Sequence, residues 1–411
     1  MRRVVVIGSG IAGTAAALAA ARAGAEVTIV MGAPGATVLA GGALDDVPWE
    51  DARSGRGEPR ALLAEDARSV LDDLEGYDVP EGQAVLVART GIVRLARGRD
   101  RALLSVATSG PGDVMVTDVA HAGWDALALA RSWSASREAA GRGLRFVAVK
   151  ASVLAHTDER AFTDADLAAR HDDPERLAWL AARLSEALAR AEQVERVSGV
   201  VLPPWLGASR ERATELSRLV GLPCGEALGG VGGPSGLRFE HARDRATERR
   251  GVRVVQGRAC RVAPAEELAW HVDLSPRSLG TLDADAVVLA TGGLLGGGFE
   301  YTPSGATLGG ALPSAPRSLA RVTLDAPVTL GARGDAGDTS SLFGGAPETH
   351  AWPYQADPLL DRLGVPVDDH GRVRGESRGL YAVGELAADR PRTWLAALSL
   401  GARAGGSAAS G

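Results

Sequence analysis

The chain has 411 residues, 45% of them apolar, which is long enough for two or three globular domains. Its formal net charge is −6, with acidic and basic residues mixed along the sequence, so neither a nucleic acid partner nor a polybasic membrane contact is indicated. Cys224 and Cys260 lie far apart and form no redox, zinc or iron–sulfur spacing, so no metal site is predicted. No uncharged apolar run reaches about 18 residues, and no membrane span is predicted.

The chain begins with a strand, a glycine turn, a helix and a second strand, the pattern of a dinucleotide-binding βαβ unit. The apolar run 4–7 leads into Gly8, Gly10 and Gly13, spaced as GxGxxG. We expect Gly8 to allow the tight turn, Gly10 to let a pyrophosphate approach the backbone, and Gly13 to let helix and strand pack closely. Ile11 and Ala12 open the helix, whose N-terminal N–H groups and dipole favour phosphate.

One residue of this fingerprint is missing. An acidic residue about 20 positions after the glycines normally holds the adenosine ribose, at the end of the second strand. Here that position falls at Val30-Met31-Gly32, and Glu26 lies before the strand. The sequence therefore leaves two expectations open, a weakly held FAD or a smaller flavin.

A second glycine turn follows in the stretch 39–45, where Gly41, Gly42 and Ala43 are predicted to pass close to the cofactor. Residues 46–59 are predicted to form a loop, and 61–74 have the apolar spacing of a helix.

The pattern changes at residue 84 and predicts an inserted α/β domain of its own. We expect a substrate or partner surface on this insert. The predicted strands are 84–88, 91–95, 102–107, 113–119, 145–150 and 199–203, and the predicted helices are 124–140, 174–191 and 209–220.

After a glycine–proline hinge at 229–236, the pattern of the first domain resumes. A helix at 237–250, a strand at 251–257 and a β-meander at 259–281 lead to a buried strand that ends in Thr291-Gly292-Gly293. A strand with this ending is typical of two-lobed flavoproteins, in which the glycines pass near the cofactor.

The last predicted strand, 379–385, ends in Gly384-Glu385, which has the form of a second flavin motif. Glu385 would accept hydrogen bonds from ribityl or ribose hydroxyls, and Gly384 would let the backbone come close. A helix at 393–404 would direct its N-terminal dipole at the flavin N1–C2=O edge. Residues 405–411 are predicted to be frayed.

Together these elements predict an α/β protein. It contains a Rossmann-like FAD/NAD(P)-binding domain, with a parallel sheet and a β-meander, and an inserted α/β cap domain. The flavin-binding domain is predicted to be discontinuous, at 1–83, 225–300 and 371–411. The cap is predicted at 84–224 with 301–370.

At this point the sequence resembles a known family. The segments VVVIGSGIAGTAAA, AGGALD, VVLPPWLG, PSGLRF to GVRVVQG, AVVLATGGLLGGGF and GLYAVGE, in this order, are similar to the B subunit of anaerobic glycerol-3-phosphate dehydrogenase. That family belongs to the fumarate-reductase-like flavoproteins, and the resemblance covers nearly the whole chain.

The resemblance implies FMN as cofactor and a cytoplasmic three-subunit complex on the inner face of the cell membrane. The A subunit, a flavoprotein, oxidises sn-glycerol 3-phosphate to dihydroxyacetone phosphate, and the B subunit assists. An iron–sulfur C subunit anchors the complex to the membrane and passes electrons to quinone.

The chain departs from the family at 393–405, where no cysteine–glycine turn is found. His350 and Arg392 are the catalytic candidates, because each can approach the flavin from the cap or the last loop. Two alternatives stay open: a non-catalytic partner subunit with a flavoprotein fold, and a stand-alone flavin oxidoreductase acting on another small substrate. An NADH-dependent disulfide reductase is not supported, since a second GxGxxG and a cysteine pair are both missing.

Overall fold

The computed structural model describes residues 1–46, 63–107, 109–192, 194–265, 270–293, 364–376 and 378–411, and the backbones of four strands between 300 and 350. Among the helices it describes, none combines the length and apolar character needed to cross a membrane.

The strands alternate with helices along most of the chain. In chain order they are β1 (Arg3–Ile7), β2 (Glu26–Met31), β3 (Ala43–Leu44), β4 (Tyr77–Asp78), β5 (Ala84–Val87), β6 (Val93–Ala96), β7 (Gly98–Asp100), β8 (Gly112–Asp118), β9 (Leu144–Lys150), β10 (Val197–Leu202), β11 (Cys224–Glu226), β12 (Arg253–Gln256), β13 (Arg258–Pro264), β14 (Trp270–Ser275), β15 (Thr281–Ala284), β16 (Ala286–Leu289), β17 (Glu300–Ser304), β18 (Arg321–Asp325), β19 (Thr329–Leu330), β20 (Glu348–His350) and β21 (Gly379–Ala382).

The helices are α1 (Ile11–Arg22), α2 (Glu65–Leu74), α3 (Ala126–Ser134), α4 (Arg137–Ala140), α5 (Asp164–Arg170), α6 (Pro174–Ala189), α7 (Ala213–Val220), α8 (Pro234–Arg249) and α9 (Trp394–Ser410). Short 3-10 turns cover Ala36–Leu39, Thr157–Ala161, Arg277–Leu279 and Gly384–Leu386.

The first sheet is parallel throughout and has the strand order β12-β2-β1-β16-β21. The chain runs from β1 to β2 on one side, whereas β16 and β21 are added on the other side, so the direction of winding reverses between β1 and β16. Strands β1, β2, β16 and β21 are almost continuously apolar and buried, as is typical when helices cover both faces, whereas the edge strand β12 is mostly exposed. The prediction of a Rossmann-like α/β fold is therefore confirmed.

The meander β13-β14-β15 is antiparallel, as predicted, and its apolar side chains join the core of the first sheet. Val365 and Val367 also pack in this core, a few residues before the predicted start of the last flavin-domain segment at 371. Of the segment 301–370, the rest is described mainly as β17, β18 and β20, which form an antiparallel sheet, and β19, which pairs with β13. The assignment of 301–370 to the cap stays a prediction.

The insert contains a second parallel sheet, with the order β11-β10-β8-β9. Its core draws on residues from Val85 to Ala227 and is separate from the core of the first sheet. Helix caps set several element boundaries here. Asp125 and Asp173 accept hydrogen bonds from the first turns of α3 and α6, and Pro174 is the first residue of α6.

Two predictions within the insert are wrong. The helix predicted at 124–140 is split in two, because the Ser136 side chain accepts a hydrogen bond from the Ala139 N–H and starts a new helix. The strand predicted at 102–107 forms only isolated bridges, from Leu103 to Glu226 and from Ser105 to Leu86. This segment contacts two different strands in turn and so builds no ladder with either.

The frayed tail predicted at 405–411 is also wrong. Helix α9 continues to Ser410 and packs along α1. A Cβ atom on Gly401 or Gly405 would overlap the carbonyl oxygen of Ala12 or Ala16, respectively. The glycines that suggested disorder therefore allow two helix backbones to approach each other.

Candidate functional site

The predicted cofactor motifs meet where the winding of the first sheet reverses. The glycine turn 8–13 follows β1, the segment 291–293 follows β16, and Gly384-Glu385 follow β21. The carboxyl ends of adjacent parallel strands lie at one edge, and a crevice opens there at a reversal point. We call this place the glycine crevice.

Gly8 and Gly13 hold the crevice together. Gly8 has φ +110, and a Cβ there would overlap the carbonyl oxygen of Ala290 at the end of β16. A Cβ on Gly13 would overlap the carbonyl oxygen of Gly8, so α1 lies directly on the turn. Both glycines are required by the contact between turn, helix and neighbouring strand.

The N-terminus of α1 supplies donors to the crevice. Gly10 is the N-cap residue and offers no side-chain cap, and the first turn holds no acidic residue. The Ile11 N–H donates to Thr37 Oγ1 at 2.9 Å. Among the described residues, no acceptor meets the Ala12 or Gly13 N–H. Since the first N–H groups of a helix have no partner within it, these two are available to an anion.

Glu385 faces Gly293 across the crevice. A Cβ on Gly293 would lie 2.5 Å from Glu385 Oε2, and one on Gly384 would lie 2.9 Å from the Ala12 Cβ. The structure therefore brings Gly293, Gly384 and Glu385 to the start of α1. The Glu385 side chain is half-buried, and its carboxylate accepts no hydrogen bond within the described residues. It is placed to accept one from a hydroxyl group.

The turn at Gly41-Gly42-Ala43 packs against the start of α8. A Cβ on Gly41 would lie 2.8 Å from the Gly229 carbonyl oxygen, and one on Gly42 would lie 2.8 Å from Ser235 Oγ. The same loop reaches the glycine crevice through Thr37. It therefore links the first helix to α8, whereas Gly41 and Gly42 themselves face the hinge region.

Thr37 and Arg243 are site residues that sequence reasoning missed. Arg243 on α8 is 5% exposed, and its Nη1 lies 3.4 Å from Ser9 Oγ inside the glycine turn. Its guanidinium also pairs with the Asp244 carboxylate at 2.8 Å. The local signal for Arg243 in the sequence was weak, because the buried face of α8 also carries Arg238 and Thr247 beside its apolar residues. Thr37 had none, because its contact with Ile11 depends on how the loop folds back.

The weaker candidates lie further out. Arg392 lies in the loop just before α9 and is half-buried. The N-cap of α9, Thr393, has a buried Oγ1 with no hydrogen-bond partner among the described residues, so this helix end also lacks a cap. His350 ends β20, and its side chain is outside the part of the chain that the structure describes.

At the far end of the crevice, where adenosine would be held, the described residues place no carboxylate at the end of β2. Strand β2 ends at Met31, and Gly32 faces Gly257 and Arg258 at the end of β12. Glu26 lies at the opposite end of β2.

A buried ionic cluster lies behind the Gly41-Gly42 turn. Arg238 Nε donates to Asp100 Oδ2 at 2.7 Å, and its Nη2 donates to Glu226 Oε2 at 2.8 Å. Burial raises the pKa of Glu226 to about 7, against the opposing effect of Arg238. Since Glu226 ends β11, this cluster joins the insert to α8.

Residues 3–88 of the chain match the family model of an FAD binding domain. A search of curated proteins gave no match.

Solved structures resemble the chain at low identity. The chain is similar to iminodiacetate oxidase from Chelativorans sp. BNC1 (17% identity, 99% of this chain and 94% of that chain, TM-score 0.31). It is also similar to the open conformation of a flavocytochrome c3 fumarate reductase (13%, 100% and 78%, TM-score 0.36). A third similar structure is 3-ketosteroid delta1-dehydrogenase from Sterolibacterium denitrificans (14%, 100% and 100%, TM-score 0.34).

The segment 3–88 contains the glycine turn, Thr37 and the turn at Gly41. Over these residues the chain is therefore similar to an FAD binding domain.

Proposed function

We propose that this protein is a flavin-dependent oxidoreductase subunit of the anaerobic glycerol-3-phosphate dehydrogenase B type. It would support oxidation of sn-glycerol 3-phosphate to dihydroxyacetone phosphate, with electrons passed to quinone. The observation that carries the flavin role is the meeting of the Gly8–Gly13 turn, Gly293 and Glu385 at one sheet edge. The substrate rests on the resemblance in motif order alone.

The residues of the glycine crevice fit a flavin nucleotide. The Ala12 and Gly13 N–H groups would donate to its phosphate, with the α1 dipole and the buried Arg243 adding positive potential. Glu385 would accept hydrogen bonds from ribityl hydroxyls. The uncapped start of α9 at Thr393 would stabilise negative charge on the ring. A bound flavin supplies the hydride acceptor that none of the twenty side chains provides.

The two flavins make different demands on this crevice. The match to an FAD binding domain favours FAD as the cofactor. The resemblance to the B subunit of anaerobic glycerol-3-phosphate dehydrogenase implies FMN. FMN ends at the phosphate and needs only the start of α1, whereas FAD extends to Met31, where no described carboxylate would hold the ribose. We propose FMN, with FAD as the alternative.

Partners and location follow from the resemblance. We propose a catalytic A-type flavoprotein subunit and an iron–sulfur C-type subunit that anchors the complex. The chain would then lie at the inner face of the cell membrane without crossing it. Arg392 is the proposed candidate for contact with the substrate phosphate, since an arginine binds such groups bidentately.

A non-catalytic partner subunit is the second candidate. Thr37 already accepts the first N–H of α1, and no described acid follows β2, so both features weaken cofactor binding compared with a full fingerprint. In this alternative the fold stabilises the A subunit and undergoes no redox cycle.

The test is to purify the chain alone and together with the A subunit, and to record absorbance spectra. We expect a yellow protein that releases FMN, identified by mass spectrometry, and that sn-glycerol 3-phosphate bleaches only when the A subunit is present. A colourless protein that takes up neither FMN nor FAD would contradict the oxidoreductase role and leave the partner role. Bleaching of the isolated chain by a different substrate would instead establish the stand-alone enzyme.

A further inference from the structure

A second cavity, of about 560 Å³, lies on the far side of the Gly41-Gly42 turn from the glycine crevice. Asp100 separates the two places. It lines the cavity, its N–H donates to the Gly42 carbonyl oxygen at 2.7 Å, and its Cβ would contact a Cβ on Gly42 at 3.0 Å. The size is within the range of small-molecule sites.

The carboxylates at this cavity already have partners. Asp100 accepts from Arg238 at 2.7 Å, and Glu75 pairs with Arg249 at 3.2 Å. Glu211 accepts from the Thr214 hydroxyl at 2.8 Å and from the Thr214 N–H at 3.1 Å, at the start of α7. Each of the three carboxylates therefore already has a hydrogen-bond or salt-bridge partner within the protein.

The cations are placed differently. Arg101, Arg210 and Arg245 line the cavity from three separate segments, the end of β7, the loop before α7 and the middle of α8. Arg245 Nη1 donates to the Ser209 carbonyl oxygen at 3.0 Å. Within the described ranges, none of the three has a carboxylate within salt-bridge distance. Three arginines from separate segments therefore line one space without forming a salt bridge to a described carboxylate.

Tyr77 adds a neutral donor at the same cavity. The side chain is 8% exposed, and its ring lies 5.2 Å from the ring of Trp394. Its hydroxyl makes no hydrogen bond to any residue that the structure describes. Burial and the nearby Asp100 carboxylate raise the pKa of Tyr77 well above its usual value, so the group remains an O–H donor. An O–H group that lines a cavity and has no partner in the protein is available to an acceptor on a ligand.

We propose that this cavity binds a small molecule through a phosphate or carboxylate group. Arg101, Arg210 and Arg245 supply the charge, and the Tyr77 hydroxyl donates to one of the anionic oxygens. Arg238 holds the rear wall through its pairs with Asp100 and Glu226. This site is separate from the glycine crevice and does not depend on a bound flavin.

Isothermal titration of the purified chain with inorganic phosphate, pyrophosphate and succinate at constant ionic strength tests the site. We expect at least one of them to bind. Binding of phosphate or pyrophosphate but not succinate assigns a phosphorylated ligand, and the reverse assigns a carboxylate. Failure of all three to bind at about 10 mM would overturn the proposal. Flavin content, measured by absorbance on the same samples, reports on the glycine crevice separately.

Two substitutions locate the binding. Arg210→Gln and Arg245→Gln should each weaken the bound anion about tenfold, because each removes a charge-assisted hydrogen bond. Arg218→Gln is the matched control, since Arg218 is exposed on α7, does not line the cavity and makes the same change in net charge. Equal affinity in Arg210→Gln, Arg245→Gln and Arg218→Gln would overturn the proposal.

Tyr77→Phe tests the hydroxyl alone, because the ring and its contact with Trp394 are kept. We expect about a fivefold loss of affinity, with an unchanged thermal midpoint. An unchanged affinity would remove Tyr77 from the site and contradict its assigned role as donor.

Discussion

Each of the two parallel sheets of this molecule has a point where the winding reverses, and the residues that lie at the two points differ. In the first sheet it lies between β1 and β16. In the insert it lies between β8 and β10, because β9 is added on one side and β11 on the other. Ligands of open α/β sheets bind outside the carboxyl ends of such strands. Topology alone therefore provides two places for a ligand.

The two reversal points differ in the side chains that follow their strands. Three residues beyond β8 lies His121, and three residues beyond β10 lies Trp205, with their rings 4.9 Å apart and edge to face. Trp205 is fully buried and donates from Nε1 to Asp164 Oδ1 at 2.9 Å. At the glycine crevice the corresponding positions carry no side chain, and backbone donors remain. Aromatic side chains thus occupy the reversal point of the insert, whereas glycine leaves backbone donors uncovered at that of the first sheet.

Removing the indole ring of Trp205 should have the largest effect on stability. We expect Trp205→Ala to lower the free energy of unfolding of the insert by about 3–5 kcal/mol, because it leaves a cavity and removes one hydrogen-bond donor to Asp164, which keeps its salt bridge to Arg89. Urea denaturation followed by circular dichroism measures this loss. Trp205→Phe keeps a ring and should cost clearly less. An insert of unchanged stability in Trp205→Ala would show that Trp205 does not close this place.

Adding a methyl group at the glycine crevice should have the next largest effect on stability. Gly8→Ala forces a Cβ onto the Ala290 carbonyl oxygen at a positive φ, and we expect a loss of about 3 kcal/mol in unfolding free energy. Gly24→Ala is the control, because Gly24 also has a positive φ (+86) but nothing lies within 4 Å of its Cβ position. It should cost about 1 kcal/mol, the backbone effect alone. Similar losses in both would mean that the contact with β16 carries no weight.

Acid should lower the stability of the insert more than that of the first sheet. His171 is fully buried under Trp205, and its Nδ1–H donates to the Trp205 carbonyl oxygen at 2.9 Å. Burial lowers its pKa to about 4. The unfolded chain then takes up a proton that the folded chain refuses, so stability falls as the pH drops from about 6.5 towards 4.

At pH 5 this corresponds to about 2 kcal/mol relative to pH 7.5. Urea denaturation of the wild type and of His171→Asn at both pH values measures the difference, and the variant should lose this part of the pH dependence. A wild-type insert equally stable at both values would contradict the assignment.

The smallest effect concerns the flavin itself. Glu385→Gln should raise the dissociation constant of FMN about tenfold, because an amide oxygen accepts hydrogen bonds more weakly than a carboxylate. Fluorescence titration with FMN and with FAD measures it. Glu26→Gln, at the exposed opposite end of β2, should leave both constants unchanged. An equal change in the two variants would remove Glu385 from the crevice.

Much of the glycine crevice could be predicted because its signals are local. The spacing of Gly8, Gly10 and Gly13 and the buried strand before Thr291 can be read from short windows, and parallel pairing then places their ends at one edge. The structure adds that Gly293 and Gly384 contact Glu385 and Ala12. These contacts agree with the predicted grouping, whereas flavin binding at each residue stays a prediction.

Other features could not be predicted, because they depend on contacts between distant segments. Thr37 meets Ile11 only through the fold of its loop, and Arg243 reaches Ser9 across more than two hundred residues. The cavity proposed to bind an anionic group is lined by Tyr77, Arg210 and Arg245, which come from separate elements. Gly405 was misinterpreted because a glycine in a close helix contact looks, in sequence, the same as a glycine in a loose tail.

The close packing of α9 on α1 also affects the order in which the chain can fold during synthesis. Strand β1 and helix α1 leave the ribosome early, but β16, β21 and α9, which complete the sheet and cover it, follow more than 260 residues later. The core of the insert draws on residues 85–227 and can form in between. We therefore expect the insert to become native before the N-terminal helix has met its packing partners, and the N-terminal turn of α1 to reach its final position only after α9 has emerged.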